Sequence, residues 1–236
     1  FPNNPTGYTP TREEVDQIVE AFKEVVASGK NILVLSDDAY FGLFYENETA
    51  KESLFARLCD LDEHIFAIKG DAATKEEMVW GFRIGFLTYG FKGASKVALD
   101  ALINKTLGAI RCTVSNCDRP GQSLLLKALK EGKNVKADKE RTFKEMESRY
   151  LEVKEVLREQ KSKFLKPYPF NSGYFMAFDT CGHSAEELRT YMLDKYGIGV
   201  INIADKTVRV AYCSVEIDNI EDLITVLFKA AEEIWN

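Results

Sequence analysis

Apolar residues follow two different periodicities in the first half of the chain. Between residues 15 and 26 they recur every three or four positions behind the pattern Thr11-x-x-Glu14, which predicts a helix with an N-terminal capping box. Short continuous apolar runs instead predict buried strands at residues 32–35, 65–68 and 84–89. Further helices are predicted at residues 53–59, 96–108 and 122–131, and a polar loop at residues 111–122. The alternation of helix and strand favours an α/β architecture.

The second half of the chain changes in character at a long charged segment. Within residues 135–161, apolar side chains still recur at three-four spacing, which predicts one long amphipathic helix. Beyond it, the pattern predicts strands at residues 174–178 and 208–212, a helix at 185–196, and a last helix capped by Asp218-x-x-Glu221. We therefore expect a partial large α/β domain at residues 1–134, a linking helix at 135–161 and a small α+β domain at 162–236.

Composition and charge narrow the possible functions. The chain has 236 residues with a formal net charge of -6, which argues against general affinity for nucleic acid. No apolar run reaches the ~18 residues that a membrane span needs, so no membrane partner is expected. The five cysteines are odd in number and scattered, which favours reduced thiols in a cytoplasmic protein. Only two histidines are present, and neither belongs to a metal-ligand pattern, so no metal site is expected.

Two cations stand close together between two of the predicted strands. Lys75 follows a small-residue segment after a strand, where partial desolvation makes a lysine amine nucleophilic. Arg83 lies within a Gly-x-Arg-x-Gly frame, in which a guanidinium can bind phosphate and the glycines let the backbone approach a ligand. Either residue alone is more often a solvated surface cation.

Three polar residues add to this pattern. Asp37 ends a predicted strand in the segment LVLSDDAYFG, at the position where open α/β sheets bind ligands. The same aspartate can equally serve only to cap the turn that follows. Tyr40 alone is more often a packed aromatic, and Asn4-Pro5 alone marks only a turn.

Taken in order, these motifs resemble fold-type I pyridoxal-phosphate enzymes, and class I/II aminotransferases in particular. The resemblance runs from Asn-Pro-Thr-Gly through Asp-x-Ala-Tyr to Thr-Lys and Gly-x-Arg-x-Gly, and it covers the whole chain. It implies the C-terminal part of the PLP-transferase fold, with a partial large α/β/α domain and a small C-terminal α+β domain. Relatives carry a ring-stacking aromatic and a glycine-rich phosphate turn before the Asn-Pro motif. We therefore expect that an N-terminal part is missing, and that this chain alone is inactive.

The resemblance implies a role for each cofactor-binding residue. Lys75 would hold pyridoxal 5'-phosphate as an aldimine and later shuttle a proton, while Asp37 would pair with the pyridine nitrogen and keep it protonated. Tyr40 and Asn4 would hydrogen-bond the cofactor's 3′-oxygen. The 5'-phosphate would be bound by Arg83. Where the family often has a serine, this chain has Ala72, and Thr74 would partly compensate for the lost phosphate ligand.

The resemblance also implies residues that bind the substrate. Arg209 would bind the α-carboxylate, although the preceding segment at residues 199–208 is shorter than in many relatives, and Asn4 is also expected among the substrate-binding residues. Arg111 lies in RCTVSN, which resembles the aspartate-aminotransferase segment that reaches into the neighbouring subunit's site to bind a side-chain carboxylate. A solvated loop arginine is an equally good interpretation of Arg111.

The leading functional hypothesis is an aminotransferase that moves an amino group between an amino acid and a 2-oxo acid. Arg111 would favour a dicarboxylic substrate such as aspartate or glutamate, and the full-length protein would be a homodimer. A C–S lyase or decarboxylase on the same fold is the alternative, because residue types do not determine which Cα bond breaks. A third hypothesis is an aminotransferase-like effector domain attached to a DNA-binding head.

Overall fold

The computed structural model describes the backbone of residues 1–236 and every side chain except those of residues 133 and 134. The α-helices are α1 Arg12–Ala27, α2 Leu54–Leu58, α3 Ala73–Glu76, α4 Lys96–Thr113, α5 Arg119–Glu131, α6 Lys133–Glu159, α7 Ala185–Tyr196 and α8 Ile220–Trp235. The strands are β1 Ile32–Asp38, β2 Ile65–Ala72, β3 Gly85–Phe91, β4 Lys166–Pro167, β5 Met176–Asp179, β6 Ile201–Ile203 and β7 Thr207–Val210. Every described helix falls short of the length or the apolar content that crossing a membrane requires.

The chain divides into two compact units. The first unit consists of Phe1, Pro10–Gly42 and Glu48–Lys139, and the second consists of Pro2–Thr9, Leu43–Asn47 and Glu140–Asn236. The second unit thus includes two short segments from the N-terminal part of the sequence. The expected functional domains at residues 1–134, 135–161 and 162–236 stay a prediction.

The first unit is built on a three-stranded sheet in the order β1-β2-β3. Strand β1 is parallel to β2, and β3 is antiparallel to β2. The predicted capping box of α1 is confirmed, because the Thr11 hydroxyl accepts from Glu14 N and the Glu14 carboxylate accepts from Thr11 N. Helices α1 and α2 pack against the sheet through a small apolar core, which contains Val19, Val26, Leu58, Ile65 and Ala67.

Helix α5 supports the turn between β2 and β3. Its Leu125 is buried against Ala73 and Ile84, which lie at either end of that turn. The predicted polar loop at residues 111–122 is wrong at both ends, because α4 continues to Thr113 and α5 begins at Arg119. The sequence Arg-Pro-Gly suggests a turn, but proline is well accommodated in the first turn of a helix, and the Asp118 side chain caps this one.

The second unit contains an antiparallel sheet in the order β4-β5-β7-β6 and the largest of the described apolar cores. Helices α7 and α8 contribute many of the buried residues, among them Leu188, Ile224 and Leu227. The predicted cap at Asp218 is wrong. A 3-10 turn at Ile217–Asn219 leads directly into α8, and no side chain caps that helix.

Two tyrosine hydroxyls, one from the buried Tyr212 and one from the partly buried Tyr45, converge on one backbone carbonyl in the second unit. Tyr45 OH donates to Gly173 O at 2.8 Å, and Tyr212 OH donates to the same oxygen at 2.6 Å. Burial raises the pKa of both tyrosines above their ordinary value of 10.0. The folded protein therefore keeps two protons that the unfolded chain releases above pH 10, so stability falls as the pH rises beyond that value.

We predict that Tyr45→Phe makes the alkaline loss of stability shallower. The variant lacks one hydrogen bond, which costs about 1 kcal/mol at neutral pH. It also lacks one of the two phenols whose pKa is raised. Each of these phenols lowers the free energy of unfolding by up to about 1.4 kcal/mol per pH unit above pH 10. Urea unfolding at pH 7, 9 and 11 measures both effects. Equal slopes in variant and parent between pH 9 and pH 11 would contradict the prediction.

Candidate active site

The carboxyl ends of the parallel strands β1 and β2 lie side by side at one edge of the first sheet. Asp37 is the penultimate residue of β1 and pairs with Gly70 of β2. Its side chain is exposed, and Asp37 Oδ1 accepts a hydrogen bond from Ala39 N at 3.1 Å. This hydrogen bond shapes the turn that follows, which carries Tyr40. Both roles considered for the aspartate, turn cap and ligand at a strand end, are therefore compatible with its position.

Lys75 lies at the same edge of the sheet. Strand β2 ends at Ala72, and the single helical turn α3 follows at once with Thr74 and Lys75. Lys75 Nζ lies 5.8 Å from the centroid of the Tyr40 ring. The structure thus brings an amine and a phenol together beside the strand end that carries Asp37.

Arg83 occupies an unusual backbone conformation. It follows the 3-10 turn Trp80–Phe82 with φ of 52°, in the left-handed region that non-glycine residues rarely adopt. The buried neighbour Ile84, whose carbonyl accepts from Ala73 N at 3.1 Å, holds the chain in this conformation. Gly85 lets β3 approach β2 closely, since a Cβ there would lie 3.1 Å from Asp71 O, a tight contact. Strained backbone that is held in place by packing is frequent at ligand sites.

An ion cluster beside this edge was not predicted from the sequence. Lys69 Nζ lies 2.6 Å from Asp71 Oδ1 and 3.9 Å from Asp38 Oδ2, and Asp38 is only 1% exposed. The cluster ties the end of β1 to the end of β2. The doubled aspartate at the end of β1 was the available hint, because successive strand residues face opposite sides and one of the two must point inward.

Further charges surround the turn that carries Lys75. Lys139 Nζ lies 2.9 Å from Glu77 Oε1, which joins α6 to the turn within the first unit. Partial burial raises the pKa of the neighbouring Glu76 carboxyl, an effect that the Lys139 charge opposes.

Arg209 is held by two neighbours in the second unit. Arg209 Nη1 donates to Asn4 Oδ1 at 2.8 Å, and the guanidinium carbon lies 4.4 Å from the centroid of the Phe175 ring. Arg209 Nε is buried and has no hydrogen-bond partner among the described residues. A buried donor without an acceptor is costly, and a carboxylate bound side-on to the guanidinium would satisfy it. Phe175 was not predicted, because its contact with Arg209 arises only in the folded sheet.

Arg111 lies in the last turn of α4 rather than in a loop. Its side chain is exposed and donates a hydrogen bond to the Ser115 hydroxyl, in the segment just beyond the helix. Ser115 adopts a left-handed conformation with φ of 68°. Within the described residues, no group of three or more His, Cys, Asp or Glu side chains is arranged to hold a metal ion.

Comparison with known proteins identifies the family to which this chain belongs. The family model "Aminotransferase class I and II" matches residues 1–227, and the chain belongs to that family. An aspartate aminotransferase of Sulfolobus acidocaldarius is 30% identical over 120 residues, which are 50% of this chain and 28% of that protein.

Solved structures share the fold at low sequence identity. An aminotransferase from Anaerococcus prevotii superposes with a TM-score of 0.81 at 23% identity, covering 100% of this chain and 55% of that one. A kynurenine aminotransferase of Pyrococcus horikoshii, solved in complex with PMP, gives a TM-score of 0.78 at 20% identity with the same coverage of 100% and 55%. The expectation of an α/β aminotransferase fold is confirmed, and the chain spans about half the length of these solved relatives.

We predict that Lys69→Met lowers the free energy of unfolding by about 2–3 kcal/mol, because it removes the lysine ammonium that lies near the buried Asp38 carboxylate. Adding Asp38→Asn should restore part of the loss, since the buried carboxylate is then absent. Chemical denaturation of the full-length protein measures both variants.

The matched control is Lys96→Met, which breaks the exposed pair between Lys96 and Asp100. This change should stay within about 0.5 kcal/mol of the parent. An equally small effect of Lys69→Met would show that the ion cluster contributes little to stability.

Proposed function

We propose that this chain carries the lysine half of a pyridoxal-phosphate site, in an aminotransferase that moves an amino group between an amino acid and a 2-oxo acid. The observation that carries the proposal is the position of Lys75 beside Tyr40 at the strand edge that also bears Asp37. In a chain of the aminotransferase class I and II family, an amine, a phenol and a carboxylate at one sheet edge suit the cofactor's aldehyde and ring.

The residues of the first unit fit the chemical groups of pyridoxal 5'-phosphate. The Asp37 carboxylate would pair with the protonated ring nitrogen, and the Tyr40 hydroxyl would donate to the cofactor's 3′-oxygen. Arg83, with Thr74, would bind the phosphate, since a guanidinium matches phosphate geometry. When bound, the cofactor supplies an electron sink that weakens the bonds to the substrate Cα.

Lys75 carries the chemical step in this proposal. Its amine would hold the cofactor covalently until the substrate amine takes its place. The released Nζ would then take the proton from the substrate Cα and deliver it to the cofactor's C4′ carbon. Tyr40, whose ring lies 5.8 Å from Nζ, would orient this amine.

Arg209 would bind the α-carboxylate that amino acids and 2-oxo acids share. The buried, unpartnered Nε supports this role, because Nε–H and a neighbouring Nη–H together form a fork that matches a carboxylate. Asn4 would orient the fork through its hydrogen bond to Nη1.

Arg111 would select a dicarboxylic substrate such as aspartate or glutamate, acting in the site of a neighbouring subunit of a homodimer. Support comes from the family segment it resembles and from the aspartate aminotransferase among the curated relatives. Its exposed side chain is accessible to a partner. The five free cysteines support a reducing, cytoplasmic location.

We predict that Lys75→Ala in the full-length protein lowers turnover by at least about 10³-fold, because it removes both the covalent anchor and the proton carrier. The visible absorbance of bound pyridoxal phosphate should change, and its response to an added amino acid should be lost. The exposed Lys92→Ala is the matched control and should retain both.

Retained turnover in Lys75→Ala would remove Lys75 from the proposed role. In the parent protein, amino-group transfer should require a 2-oxo acid acceptor. Release of ammonia and pyruvate without an acceptor would instead identify a lyase.

We predict that Arg111→Ala lowers kcat/KM for aspartate by roughly 30-fold or more relative to alanine, since only the dicarboxylic substrate loses a charged partner. Steady-state kinetics with both amino acids test this, and Arg119→Ala, a nearby exposed arginine, is the control. An equal loss for both substrates would argue that Arg111 has a structural role only.

A further inference from the structure

The loop at residues 2–9, which carries Asn4, is closed by its own hydrogen bonds. Asn3 N donates to Tyr8 O at 2.9 Å, and Gly7 N donates to Asn3 O at 2.9 Å. The Asn3 side chain also accepts from the Thr6 hydroxyl at 2.8 Å. Asn4 therefore sits in a turn whose shape is determined locally, but whose placement against Arg209 requires contacts outside the loop.

Those contacts come from the segment at residues 171–175. Gly7 O accepts from Asn171 N and from Ser172 N, each at 3.0 Å. Gly7 has φ of 77°, and a Cβ there would lie only 2.1 Å from Phe175 O, so no other residue fits. The loop thus approaches the segment that also supplies Phe175, the ring beneath Arg209.

Side chains complete this attachment, which we call the loop clamp: Gly7, Thr9, Asn171 and Ser172. The Asn171 amide bonds both backbone groups of Thr9, accepting from Thr9 N at 2.8 Å and donating to Thr9 O at 2.8 Å. The hydroxyls of Thr9 and Ser172 share a hydrogen bond of 2.7 Å. All three side-chain-bearing members are at most 5% exposed.

A buried polar network of this kind is an expensive way to join two segments. Burying polar groups costs free energy unless each is hydrogen-bonded, and apolar side chains of similar size would hold two surfaces together at lower cost. Directional hydrogen bonds, however, fix the register of one segment against another. The Arg209 site depends on the register between residues 2–9 and residues 171–175. The first segment carries Asn4, which bonds Nη1, and the second carries Phe175, which covers the guanidinium face.

We propose that Asn171 is a positioning residue for a carboxylate site at Arg209, acting through the loop clamp on Asn4. The proposal rests on the proposed function of Arg209. With the clamp intact, Arg209 presents its fork in one orientation, and a carboxylate binds without first ordering the side chain. Without it, the Asn4 turn loses its register and the guanidinium loses one of its two supports.

The effect should be confined to carboxylate binding. Amino acid and 2-oxo acid share the α-carboxylate, so KM should rise for both substrates by a similar factor. Lys75 belongs to the first unit and is not part of the clamp, so kcat should change little. A residue whose only role is stability would not produce this split between KM and kcat.

The test is Asn171→Ala in the full-length holoenzyme. The probe is propionate, which has a carboxylate but no amino group and therefore cannot react. We expect roughly tenfold weaker propionate binding and a roughly tenfold higher KM for both substrates, with kcat within about threefold. If Asn171→Ala does not fold, Ser172→Ala removes only the hydroxyl contacts, and a roughly threefold shift is expected.

The matched control is Thr180→Val. Thr180 is also fully buried in the second unit, and its hydroxyl donates to His183 O at 2.6 Å, outside the clamp. The Thr180→Val variant should have a lower Tm than the parent and the same affinity for propionate. If the clamp variant that folds also lowers Tm but leaves propionate affinity within twofold of the parent, the proposal is overturned.

Arg209→Ala separates this proposal from the one on which it rests. A large loss of propionate affinity in Arg209→Ala, with none in the clamp variant, removes the positioning role alone. Unchanged affinity in Arg209→Ala removes the carboxylate site itself, and the role of Asn171 with it.

Discussion

The parallel pairing of β1 with β2 is the constraint on which the candidate cofactor site depends. Parallel strands end at the same edge of a sheet, so the register that sets Asp37 opposite Gly70 also brings the turn carrying Lys75 to that edge. Helix α5 then holds this turn from outside, through Leu125 against Ala73 and Ile84. A slip of one residue would turn the Asp37 side chain to the opposite face of the sheet.

In the second unit, the feature that matters for the candidate site is the orientation of the Arg209 guanidinium. Its large apolar core stabilises the sheet that carries Arg209, but apolar packing is non-directional and cannot determine which way a planar fork points. Orientation comes from two directional contacts, the amide of Asn4 and the ring of Phe175. Both belong to segments that are joined by buried hydrogen bonds.

Charge is treated differently at the two places. Around Lys75, carboxylates and amines alternate, with Asp38, Lys69 and Asp71 forming one cluster and Glu77 with Lys139 forming another. Around Arg209, one donor is buried with no partner among the described residues. In the first arrangement the charges are paired within the protein, whereas in the second a buried donor has no protein acceptor, as the proposed carboxylate site requires.

Local signals in the sequence determined the capping box at Thr11, most helices and strands, and the ordered motifs that carry Asp37, Tyr40, Lys75 and Arg83. These depend on neighbours a few residues away, which a pattern records. Only the tertiary structure decided that Asp38 is buried against Lys69, and that Asn171 holds Thr9 across 162 positions of sequence. Such contacts result from the packing of distant segments, and neither residue differs in type from the many aspartates and asparagines that face solvent.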